Sequence, residues 1–146
     1  MDRQRPKEKD LFNLNRFIKA QSFIYEQVLL ELQKGQKQTH WMWFIFPQIN
    51  GLGQSQRSVF YSIKSKEEAI EYLNHPILGK RLIEVVKIIL SLDGYSASEI
   101  FGFPDDKKLK SSMTLFAHIS PENSLFHQVI NKYFNNNVDK TTLSQL

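Results

Sequence analysis

From Leu11 to Leu146 the apolar residues recur three and four positions apart, segment after segment, with helix-capping residues between the segments. That spacing lays one apolar stripe along each helix and leaves no paired period-two alternation from which a sheet could be built. Asp10 is an N-cap, and Leu14, Phe17, Ile18, Tyr25, Val28, Leu29 and Leu32 form the first stripe. Gly35 supplies the stop. Leu11 to Lys34 therefore reads as one helix, roughly 36 Å long at 1.5 Å per residue.

Further along, Ser65 with Glu68 and Ser96 with Glu99 have the spacing of capping boxes, each opening a helix. His75-Pro76 breaks the first of these. The next helix carries Leu78, Leu82, Val85, Val86, Ile89 and Leu90, with Gly79 placed where another backbone could approach closely. Pro104 with Asp105 and Asp106 begins a helix whose stripe is Leu109, Met113 and Phe116. Ser120-Pro121-Glu122 starts another, through Leu125, Phe126, Val129, Ile130, Tyr133 and Phe134, and Asp139 caps a last short segment. The expected fold is all-α, a compact single-domain bundle of six or seven helices over residues 10–146, with residues 1–9 as a disordered tail.

His40-Trp41-Met42-Trp43-Phe44-Ile45-Phe46-Pro47-Gln48 interrupts this regularity with both tryptophans of the chain. So much aromatic surface in one short segment belongs in the core or in a pocket wall. A continuous apolar run fits a strand or a buried helical turn. The helical turn is favoured here, because no second strand is present to pair with it. Residues 47–58 then read as a loop.

Composition removes several chemistries. The chain has no cysteine, which excludes disulfides, thiolate metal sites and cysteine nucleophiles and fits a reducing, cytoplasmic setting. The charged start is not a signal peptide, and no apolar run approaches the ~18 residues of a membrane span. A net charge of +4 is compatible with nucleic acid, but the lysines are spread out and alternate with acidic residues as on solvated helix faces. His40, His75, His118 and His127 show no ligand pairing, so no metal is expected. No cofactor fingerprint is present either.

The aromatic nonapeptide is followed in order by Gly51-Leu52-Gly53 with Ser55, Tyr61, His75-Pro76 with Leu78-Gly79, and Ile100-Phe101-Gly102 with Pro104-Asp105-Asp106. Lys108-Leu109 and Ser111-Ser112-Met113-Thr114-Leu115-Phe116 complete the series. Asp10-Leu11, Arg16-Phe17 and Ala20-Gln21 open it, and Asp139 with Thr142-Leu143 close it. In this the chain resembles the bacterial family catalogued as domain of unknown function 1810, over essentially residues 10–146. The resemblance implies a compact helical domain and carries no settled activity. The label "calpastatin" that is often attached to such proteins does not suit this chain, because those inhibitors are disordered and aromatic-poor.

Three segments offer chemistry. In the loop Gln48 to Ser58, Gly51 and Gly53 permit close backbone approach, while Ser55, Arg57 and Ser58 supply donors. The plainer reading is that the glycines turn the chain and Ser55 caps a helix. In the second, Lys107, Ser111, Thr114 and His118 share one helix face, which suits a phosphate or carboxylate, although a solvated surface is the plainer reading. In the third, His40 beside Trp41 and Trp43 could move a proton or stack a ligand, whereas such residues are more often core. Asp105 is the other proton-transfer candidate, set against simple stabilisation of a helix N-terminus.

These features favour a pocket that binds, or binds and acts on, a small anionic or phosphate-bearing ligand. Trp41, Trp43, Gly51, Gly53, Ser55, Arg57, Lys107, Ser111 and Thr114 would form it. The reading requires the Gly51–Arg57 loop and the Lys107–Thr114 helix to meet at one cleft. The alternative is a protein-interaction module with an exposed aromatic groove. Nucleic-acid binding rests on charge alone.

Overall fold

In a computed structural model, which describes residues 9–146, the chain folds into ten helices among the described residues. They are α1 (Asn15–Ser22), α2 (Tyr25–Gln33), α3 (Met42–Ile45), α4 (Gln56–Phe60), α5 (Lys66–Asn74), α6 (Leu78–Ser91), α7 (Ala97–Phe101), α8 (Asp105–His118), α9 (Leu125–Phe134) and α10 (Lys140–Ser144). The all-α expectation holds, but ten helices replace the expected six or seven. The tail expected over 1–9 lies, apart from Lys9, outside the described residues.

The higher number comes partly from splitting and partly from single turns. The helix expected over Leu11–Lys34 breaks at Phe23 and Ile24, where the Ile24 amide bonds back to the Gln21 carbonyl at 3.0 Å and Ile24 takes φ −128°. Gln21 is buried, and its Nε2 donates to the Phe44 carbonyl at 2.7 Å and to Tyr72 Oη at 3.0 Å. The break lets α1 pack on α3 while α2 turns onto α6. No glycine or proline marks it, so periodicity runs straight through.

Capping chemistry sets the other boundaries. Asp10 accepts from the Leu14 and Asn15 amides, both at 2.7 Å, but the N-cap of α1 is Leu14, so the helix begins at Asn15 rather than at the expected Leu11. Ser96 and Glu99 make the full reciprocal box at the start of α7. At α5 only half of the expected box forms: Ser65 Oγ accepts from the Glu68 amide, but the Glu68 carboxylate is drawn to the Lys64 amide and the Arg16 guanidinium. Helix α9 starts later than expected, with Ser124 rather than Ser120 as its N-cap, because Asn123 turns the chain at φ 65°. A Cβ on Gly79 would stand 2.0 Å from the Leu73 carbonyl oxygen, so its missing side chain is what lets α6 lie against the end of α5.

The core is built around α8, whose residues Leu109, Met113, Leu115 and Phe116 are fully buried. It packs on α5, α7, α9 and α10. A chain of aromatic contacts runs through the interior: Phe17 meets Tyr72 edge-on at 5.0 Å, Tyr72 meets Phe116 at 5.6 Å, and Phe116 meets Phe126 at 5.6 Å. The 41–46 segment forms the expected buried helical turn, α3. After it, Ile49 makes an isolated parallel bridge to Ile63, with Ile63 N donating to Gln48 O and Asn50 N to Ile63 O, each at 2.8 Å. That bridge ties down both ends of the glycine loop.

Candidate cleft between the glycine loop and helix α8

The aromatic segment is held from behind by a carboxylate. Glu31, buried on α2, accepts from Trp41 Nε1 at 2.9 Å, from the Gln38 and Thr39 amides at 2.8 and 3.1 Å, and from Thr39 Oγ1 at 2.7 Å. Burial by itself raises the Glu31 carboxyl, but the bonds from Gln38, Thr39 and Gln27 outweigh it and hold the pKa at about 2. Trp41 is thus a fully buried, hydrogen-bonded anchor and lines no surface pocket. Trp43, two residues on in a helical turn, projects from the opposite side and stays half-exposed.

Around Trp43 gather the cations. The Arg57 guanidinium lies 5.2 Å from its ring centroid and the Lys108 ammonium 5.1 Å. Lys108 is also drawn to Asp105 at 3.6 Å, and Asp105 pairs with Lys37 at 2.8 Å. Lys37 in turn sits 5.0 Å over Trp41. Asp105 is therefore engaged by two lysines and orients Lys108. His40 is exposed and makes no side-chain hydrogen bond among the described residues.

A cleft of about 300 Å³ opens beside this cluster. One wall comes from the loop and the start of α4: Gln48, Leu52, Gly53 and Ser58. The other comes from α8, with Pro104, Lys107, Lys108 and Ser111, and Asp139 and Thr141 of the last segment close it. Of the residues expected to form the site, Gly53, Lys107 and Ser111 line this cleft, whereas Trp41, Trp43, Gly51, Ser55, Arg57 and Thr114 do not. Gly53 packs so tightly that an added Cβ would be 2.6 Å from Ser58 Cβ. Gly51 turns the loop at φ 101° against the Gln145 side chain, outside the lining. Lys107 is exposed and lies 5.8 Å from the Phe103 ring, with no carboxylate in ion-pair range among the described residues.

Several candidates have structural work instead. Ser55 accepts from the Ser58 amide at 3.1 Å as the N-cap of α4, the plainer of its two readings. Ser111 and Thr114 were expected on a solvated face with Lys107 and His118, but both are buried under α10. Ser111 Oγ donates to Asp139 at 3.0 Å, and Thr114 Oγ1 accepts from the Asp139 amide at 3.0 Å. Only the Ser111 side of that face borders the cleft; Thr114 does not.

Lys108 and Asp139 are the residues that sequence reasoning missed as site members. Lys108 lies about 100° around the helix from Lys107, so a face drawn through Lys107 leaves it out. Asp139 was legible as a helix cap, which it is, accepting from the Thr142 amide at 3.2 Å. Its meeting with Ser111, across 28 residues of chain, has no local signal. Among the described residues no three His, Asp or Glu side chains gather as metal ligands, and no helix is long and apolar enough to cross a membrane.

Comparison with known proteins agrees with this architecture. Residues 11–146 match a family model described as "Protein of unknown function (DUF1810)". The fold is similar to the crystal structure of the conserved hypothetical protein Rv1873 from Mycobacterium tuberculosis, with a TM-score of 0.92 and 47% identity. The match covers 94% of this chain and 98% of that one. No curated protein matches this chain.

Proposed function

Because the chain belongs to the family described as a protein of unknown function (DUF1810), which brings no activity with it, we propose from the cleft's own geometry that it binds a small anionic, phosphate-bearing ligand. The observation that carries this reading is the placement of Lys107 and Lys108 on one wall, opposite Gly53 and the Ser58 hydroxyl on the other. Two lysine side chains in a wall that also holds a hydroxyl and a closely approaching backbone suit a phosphate's charge and its several acceptor oxygens. Arg57 and Trp43 border the same cluster and supply a further cation and a half-exposed ring face. The aromatic segment offers little to a partner helix, since Trp41, Met42, Ile45 and Phe46 are all buried.

A thermal-shift screen of inorganic phosphate, sugar phosphates and nucleotides tests the reading. A ligand at 100 times its dissociation constant stabilises by about 2.7 kcal/mol, which raises the melting temperature of a chain of this size by about 5–10 °C. The shift is expected to be lost in Lys107→Ala and Lys108→Ala and reduced in Arg57→Ala. Binding should also change Trp43 fluorescence, since Lys108 lies against its ring. A flat screen, or shifts that survive both lysine substitutions, would remove this cleft from consideration.

A further inference from the structure

Resting on that anion-site reading, we infer that the cleft selects a phosphate ester bearing a neighbouring hydroxyl, a sugar phosphate rather than free phosphate, with Asp139 as the selecting group. A carboxylate in the wall of an anion site is at first sight misplaced, because it repels the charge that the lysines attract. Asp139 cannot swing away. Its Oδ2 accepts from Ser111 Oγ at 3.0 Å, from the Thr142 amide at 3.2 Å and from Thr142 Oγ1. All three bonds fall on one oxygen. Oδ1 accepts no hydrogen bond among the described residues, although Asp139 lines the cleft.

Nor do the lysines neutralise it: neither Lys107 nor Lys108 lies within 4.0 Å of Asp139 among the described residues, whereas Lys108 is held toward Asp105. The cleft is therefore bipolar, with the lysine side chains of α8 in one wall and a fixed carboxylate at the start of α10. A bare anion meets attraction at one end and uncompensated repulsion at the other. A phosphate ester of a polyol meets both ends correctly, its phosphate on the lysines and a hydroxyl donating to Asp139 Oδ1. The volume agrees: about 300 Å³ is at the small end of organic-ligand sites and much more than one ion requires.

Isothermal titration of the full chain with inorganic phosphate, glycerol 3-phosphate and ribose 5-phosphate decides the matter. Wild type is expected to bind ribose 5-phosphate at least about tenfold more tightly than inorganic phosphate, the value of one hydrogen bond to a charged group. Asp139→Asn keeps an oxygen to cap α10 but replaces the other acceptor with a donor. It should weaken the sugar phosphate, tighten inorganic phosphate and bring the two within about threefold. Asp139→Ser, also a good cap, is the second variant should the first fold poorly, and the same loss of preference is expected. Equal affinities in wild type, or a preference that survives both Asp139 variants, would overturn the inference. If binding without preference still depends on Lys107 and Lys108, only the selection by Asp139 is lost. If no phosphate compound binds wild type, the anion-site reading fails with it.

Discussion

Replacing Glu31 by glutamine probes the group that holds the aromatic segment in place. The carboxylate is 2% exposed and receives bonds on both oxygens, from Trp41 Nε1, Gln38 N and Thr39 N on one and from Thr39 Oγ1 and Gln27 Nε2 on the other. Glutamine keeps one acceptor oxygen but sets an NH₂ among the remaining donors and removes the charge that strengthens every bond. The magnitude follows from linkage. A carboxyl at about 2 when folded and 4.5 otherwise, at 1.36 kcal/mol per pH unit, contributes about 3 kcal/mol. Because the folded value is the lower one, this stability is present in full above 4.5 and is lost as pH falls through 2. Urea unfolding followed by circular dichroism should therefore show Glu31→Gln less stable by about 3 kcal/mol at pH 7, a fall of about 6–12 °C in Tm. The gap to wild type should narrow to about half at pH 3, where the unfolded chain's carboxyl is already protonated while the folded one is still ionised. A loss below about 1 kcal/mol, or a gap that does not change with pH, would refute the argument.

Two further outcomes follow from packing. Gly79→Ala should cost about 3 kcal/mol in thermal denaturation, since its Cβ would meet the Leu73 carbonyl at 2.0 Å and backbone cannot yield as a side chain can. A neutral result would mean that α5 and α6 separate easily. Ser112→Ala should stabilise by about 1 kcal/mol, because the Ser112 hydroxyl is fully buried and has no hydrogen-bond partner among the described residues. A clear loss of stability there would mean that the hydroxyl has a partner in solution, such as a bound water.

Much of this protein was legible wherever a local rule suffices. The Ser96–Glu99 box, the Asp139 cap and the left-handed Gly35 at φ 71° depend on contacts within a few residues. The aromatic turn was legible because a run with no pairing partner has only helix to become. The breaks were harder. Nothing in Phe23-Ile24 resembles a stop, and the split there answers to Gln21 reaching Phe44 and Tyr72. Glu68 has the spacing of a capping box, yet its carboxylate is taken by Arg16 from 52 residues away.

The candidate cleft divides in the same way. Sequence alone marked the glycine loop and the α8 lysine as unusual, and the ligand reading needed them to meet. Which side chains of α8 face that meeting was decided by α10, which docks on Ser111 and Thr114 and withdraws them from solvent. It was decided too by Asp105, which draws Lys108 toward Lys37 and the face of Trp43. Helix period, capping and turn preference act over one or two turns of chain and can be read in order. The face a helix buries, and the partner a charge finds, depend on segments that only the closed fold brings within a few ångströms.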